Sequence, residues 1–149
     1  MRYLILILSL VFVQTSLLQV FFSPGFVAPD LLLIALLSRA YLTGRDAVLW
    51  AFFGGALLDI MTDTLGLNLA LETLSVYLFV LMNEKIFFKT WLTYLTGAGF
   101  SLLLKKVLSL VVMSVKFSFS FSFPSVLLAL LLEVLIASAV YFAYLKKKE

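Results

Sequence analysis

The chain reads as an all-α integral membrane protein, a bundle of six transmembrane helices forming one domain. Three observations predict this. Of its 149 residues, 64% are hydrophobic. Its eleven Lys/Arg and eight Asp/Glu cut the chain into six apolar stretches. Most of those stretches approach the ~20 residues that an α-helix needs to cross a ~30 Å hydrocarbon core. Helix is the forced conformation, because backbone polar groups in lipid must be satisfied within the segment and the stretches lack the alternation of a barrel strand.

The first stretch, residues 3–22, follows Met1-Arg2 as a secretory signal would. It runs on through Gln14, Thr15, Ser16 and Gln19 and ends in no small-x-small cleavage site, so a retained first helix is expected. Ser23-Pro24-Gly25 breaks the run, and Pro29-Asp30 restarts it, with proline in the first turn of a second helix (30–42) and a carboxylate at its positive end. At ~20 Å this helix is short. Either it starts earlier, near Phe26, or neighbouring protein shields its ends. Thr43-Gly44-Arg45-Asp46 makes a tight turn into the third helix (46–62), and the fourth and fifth follow at 65–82 and 91–115. Before the sixth (124–145), Phe and Ser alternate from Phe117 to Phe123. That period suits an extended segment, either lying among lipid headgroups with its rings or adding an edge strand to a partner.

Arg2, Arg39, Arg45, Lys85, Lys89, Lys146, Lys147 and Lys148 fall at the two termini and the even-numbered connections, which share one side of a six-span chain. With Asp46, Glu84 and Glu149 that side carries +5, against −2 for the remainder. By the positive-inside rule it is cytoplasmic, and both termini with it. The chain has no cysteine, which excludes disulfides and thiolate metal sites, and no histidine, the commonest general base and metal ligand. No catalytic residue, cofactor, metal or nucleic acid is therefore expected.

Two patterns carry the candidate functional residues. On the third helix Ala47, Ala51, Gly55, Asp59 and Asp63 recur every four residues, with Gly54 alongside. Small residues at this spacing let helices approach closely in lipid, either within the bundle, the commoner use, or in a groove for a partner helix. The second pattern emerges from depth. At 1.5 Å per residue Asp59, Glu72, Lys105 and Glu133 all reach the outer half of the bilayer, with Lys106 beside Lys105. Charges at such depth face the bundle interior, pair, or snorkel to the surface. A polar cluster is expected there, with Lys105 or Lys106 pairing to Asp59, Glu72 or Glu133 and with Asp63 and Asp30 lining its rim. It serves either as interhelical salt bridging or as a ligand or partner pocket. The two lysines differ by ~100° in direction, so they cannot share one partner group.

Pro29-Asp30 followed by leucines, the Arg45 turn, Gly54-Gly55-Ala56-Leu57-Leu58-Asp59, and Leu65-Gly66-Leu67-Asn68 together resemble the bacterial rod shape-determining MreD family. The resemblance covers residues 28–82 and places Asp30, Gly55, Asp59 and Gly66 on the family's motif positions. Lys105, Lys106 and the Phe/Ser alternation have no counterpart in that motif. It implies a non-enzymatic scaffold of the cell-elongation complex in the cytoplasmic membrane. Such a protein binds the single-pass protein MreC and works beside MreB, RodA and its partner transpeptidase in lateral peptidoglycan synthesis. The resemblance also implies a fold like the substrate-binding subunits of energy-coupling-factor transporters, which supplies a rival reading as a small-molecule binder. Those subunits dock through Ala-x-x-x-Ala on the first helix, and residues 3–22 contain no alanine. A channel would need polar residues through the full depth, whereas here they concentrate in the outer half.

Overall fold

The structure, a computed structural model, describes residues 2–17, 29–64, 66–85, 90–117 and 123–146. Among them are six α-helices and no strand. They are α1 (Arg2–Phe12, continued by a π-helical turn Val13–Leu17), α2 (Leu31–Thr43), α3 (Asp46–Thr62), α4 (Leu67–Lys85), α5 (Trp91–Phe117) and α6 (Phe123–Val140, with a π-helical turn Tyr141–Leu145). Among the described residues two stretches are long and apolar enough to cross a membrane, Trp91–Val112 and Phe123–Leu145. The end of the first stretch at Phe22, the Ser23-Pro24-Gly25 break, Leu65, and the alternation at 118–122 lie outside the described residues. So do Lys89, Lys147 and Lys148.

The helix ends show why the chain turns where it does. Asp30 is the N-cap of α2, with non-helical backbone and a side chain accepting from the Leu33 amide at 3.0 Å. The helix therefore begins at Leu31 and not near Phe26, and Pro29 precedes the cap instead of occupying the first turn. Gly44 closes α2 at φ +65°, a backbone region that side chains with a Cβ disfavour, and its amide donates to the Ala40 carbonyl. α4 starts two residues later than the apolar pattern indicates and ends three later, at Lys85.

The short α2 is the centre of the bundle. Every other helix contacts it, and Leu32, Leu33, Leu36, Leu37, Ala40 and Tyr41 on it are buried. Its shortness is thus matched by neighbours on all sides. Toward the Gly44 end the core becomes aromatic: Tyr41 meets Tyr94 edge-on at 5.3 Å, and Tyr94 stacks on Tyr141 at 5.5 Å. The Tyr94 hydroxyl is hydrogen-bonded to that of Ser38 at 3.0 Å, which satisfies both groups in an apolar setting. At the same end the exposed Arg45 and Glu84 form a two-pronged ion pair at 2.8 and 2.9 Å, and these hydrogen bonds hold the Glu84 carboxyl below its usual range.

The small-residue ridge of α3 is closed inside this bundle. Ala47, Ala51, Gly54 and Gly55 are all buried. A Cβ on Gly54 would stand 3.3 Å from Leu32 Cδ2. One on Gly55 would stand 2.6 Å from Leu69 Cα and 2.8 Å from the Asn68 carbonyl oxygen. Backbone therefore packs directly on backbone between α3 and α4, and the ridge offers no open groove to a partner helix. Gly55→Ala is expected to lower stability by ~1–3 kcal/mol, because neither backbone can give way. Gly99→Ala, whose Cβ meets nothing within 4 Å, serves as control. Thermal melts in detergent check this, and equal melting temperatures would refute the contact.

Candidate functional site

Five ionisable side chains meet at the end of the bundle opposite Arg45. α5 presents Lys105 and Lys106 in succession, and the ~100° between them sends each to a different neighbour. Lys105 Nζ donates to Asp30 Oδ2 and, at 2.6 Å, to Glu72 Oε1. Lys106 Nζ donates to Glu133 Oε1. Glu72 and Glu133 are 0% exposed, Asp30 and Lys105 7%, and Lys106 9%. Pairing of this kind is what permits charges at such depth, since one left alone would carry its full desolvation cost.

Asp30 is the hub. One carboxylate oxygen caps α2 and accepts from Gln14 Nε2 at 3.2 Å, while the other takes Lys105. Its backbone amide donates to Glu133 Oε1 at 2.8 Å. Gln14 Oε1 in turn accepts from the Leu32 amide at 3.1 Å. The network thereby ties the π-helical turn after α1 to α2, α4, α5 and α6. Asp30 was expected on the rim and stands at the centre. Gln14 was not singled out by sequence reasoning, where it read as a polar interruption of an apolar run. Its position sixteen residues before Asp30 gives no linear signal of the contact.

Asp59 stands apart from this cluster. It was one of three acids expected as alternative partners for the lysines, but its two oxygens accept from the amides of Asn68 and Leu69, each at 2.9 Å, and from the Thr64 hydroxyl. It therefore caps the start of α4 across the corner from α3, where the free amides and the positive helix end favour a carboxylate. Asn68 Nδ2 completes the corner by donating to Thr64 Oγ1 at 2.8 Å. Asp63 closes α3 in the left-handed region at φ 52°, is exposed, and does not line the cavity beside the cluster. Gly66, at φ +86°, lets the chain turn between the two caps. Depth along a helix had placed Asp59 at the level of the cluster without giving its direction around the helix.

Beside the ion pairs lies a cavity of about 130 Å³, lined by Gln14, Asp30, Asn68, Lys105, Lys106 and Glu133 among others. It has room for water or one small polar group. Three carboxylates against two ammonium groups leave the cluster rich in acceptors, and among the described residues Glu72 Oε2 and Glu133 Oε2 have no hydrogen-bond partner. Among the described residues no group of His, Cys, Asp and Glu is placed to hold a metal ion. The arrangement is suited to holding helices together and to accepting a donor at its cavity.

A family model described as rod shape-determining protein MreD matches residues 1–148. No curated protein and no solved structure matches the chain, and nothing in these comparisons supports the transporter-subunit reading.

Two outcomes test the geometry. Lys106→Met leaves Glu133 buried without its cation and should cost ~3–5 kcal/mol, most of it recovered in Lys106→Met/Glu133→Gln, where the remaining group is neutral and still accepts from Asp30. Asp59→Ala removes a cap and should cost the smaller ~1–2 kcal/mol. Melting temperatures of the four proteins decide, and a double variant no better than Lys106→Met would show that the pair is not coupled.

Proposed function

Because the chain belongs to the MreD family, which acts in rod shape determination and is membrane-associated, we propose that it is a non-enzymatic scaffold of the cell-elongation complex. In this reading its six helices lie in the bacterial cytoplasmic membrane with both termini in the cytoplasm. It binds an MreC-type single-pass protein and supports lateral peptidoglycan synthesis beside MreB, RodA and the transpeptidase. The observation that carries the reading is the match over residues 1–148.

The geometry is consistent with a scaffold. The ionisable side chains at the cluster are spent on one another, and the family's motif positions serve the backbone: Asp30 and Asp59 cap helices, Gly55 admits a backbone contact, and Gly66 turns the chain. With the ridge at 47–55 packed inside, a partner's helix meets an outward apolar face instead. α3 offers one in Leu49, Phe52, Phe53 and Ile60, all exposed. Exposed leucines and phenylalanines on every helix but the central α2 fit a lipid surrounding, since contiguous apolar patches are rare on proteins that face water.

The test is co-purification with the cognate single-pass partner from membranes in mild detergent, beside an unrelated membrane protein. A stoichiometric complex is expected with the parent chain. The ridge variant Gly55→Ala should retain the partner in proportion to its folded fraction, whereas Phe52→Ala/Phe53→Ala should fold and retain less. Absence of the partner from the parent preparation, together with failure to restore rod shape in cells lacking their own family member, would overturn the proposal.

A further inference from the structure

Between α1 and α6, with α2 as its floor, lies an apolar groove of about 350 Å³ that the ion cluster does not touch. Leu6 and Leu10 form one wall, Ile136 and Val140 the other, and Ile34 and Ala35 the floor. Tyr3 and Tyr144 border it at the end where the chain's basic residues gather. From Tyr3 to Leu10 the groove follows seven residues of helix, or ~10 Å. A groove of this length and apolar lining suits a single aliphatic chain lying along it.

A cation packed on the bordering Tyr3 points to the rest of the occupant. The Arg39 guanidinium lies 3.8 Å from the centre of the Tyr3 ring and 5.2 Å from that of Trp50, so its stem and plane are held by aromatic faces. Among the described residues it forms no ion pair, and its buried Nε has no hydrogen-bond partner. Lys146 adds a second cation at this end, 5.9 Å from the Phe142 ring. A planar guanidinium fixed on rings with free donors suits a phosphate, which it can meet with two parallel hydrogen bonds.

We propose that this groove binds one phospholipid with a net negative headgroup, its acyl chain lying between α1 and α6 and its phosphate at Arg39. The inference rests on the reading that the helices are embedded in a bilayer. Binding of this kind draws on apolar burial for the chain and on charge for the head, so it discriminates between anionic and zwitterionic lipids.

The experiment uses the full chain. It is first floated with phosphatidylcholine vesicles containing or lacking phosphatidylglycerol, then purified in mild detergent, and the lipid retained per chain is counted by native mass spectrometry. One phosphatidylglycerol is expected on the parent, in preference to phosphatidylcholine. Arg39→Gln should weaken its retention by about tenfold or more, the loss of a charge-assisted pair, while Arg39→Lys retains part of it. Ala35→Trp fills the groove and should abolish retention of either lipid, whereas Leu74→Trp on the outer face of α4 should not. A chain that fails to float overturns both the embedded reading and this site. A chain that floats but holds both lipids equally, or holds phosphatidylglycerol as well after Ala35→Trp as before, overturns the lipid site alone. So does a groove that stays empty of lipid and is shielded only when the single-pass partner is present.

Discussion

A charge without a partner inside an apolar bundle costs more than any one packing contact gains, and the position of α2 follows from that. This helix is only 13 residues long and touches all five others. Its first amides are satisfied by Asp30 and Gln14, and Asp30 is in turn neutralised by Lys105. Glu133 then takes the Asp30 amide and Lys106 together. Each group fills a need left by another. The ion pairs, the helix cap and the packing of the leucines on α2 are therefore one arrangement, because removing the cation would strand the cap and removing the cap would free the helix end.

Much of this was legible in the chain. Asp46 and Thr62 bound the third helix in the sequence and in the structure alike, since a Thr-Gly-Arg turn precedes it and an Asp-Thr pair follows. Rise per residue brought Lys105, Lys106, Glu72 and Glu133 to one level, and they do pair there. What rise could not give was rotation. Asp59 sits at a similar level but points across the corner to the amides of Asn68 and Leu69. Asp30 was placed only on the rim, yet its location at a helix start lets its side chain and its backbone amide serve different partners. Gln14 carried no signal at all, because its role depends on how α1 meets α2 and not on its neighbours in the chain.

The small residues tell a similar story. A four-residue repeat of Ala and Gly states that something comes close without saying what. Here Leu32 stands against Gly54, and the backbone of Leu69 against Gly55. The contact lies within the chain because the Asp59 cap fixes the start of α4 where α3 ends. The glycine and the aspartate four residues later thus belong to one corner: the first allows the approach, and the second anchors the helix that approaches.

The order in which the network's members occur along the chain has a consequence for how the molecule is made. Asp30 and Glu72 emerge from the ribosome well before Lys105, and Glu133 emerges last. The acids of α2 and α4 must therefore wait, hydrated or provisionally paired, until α5 brings both cations at once, and Lys106 must wait again for α6. The network is completed only by the last helix, so a chain cut short of α6 would hold Lys106 without Glu133.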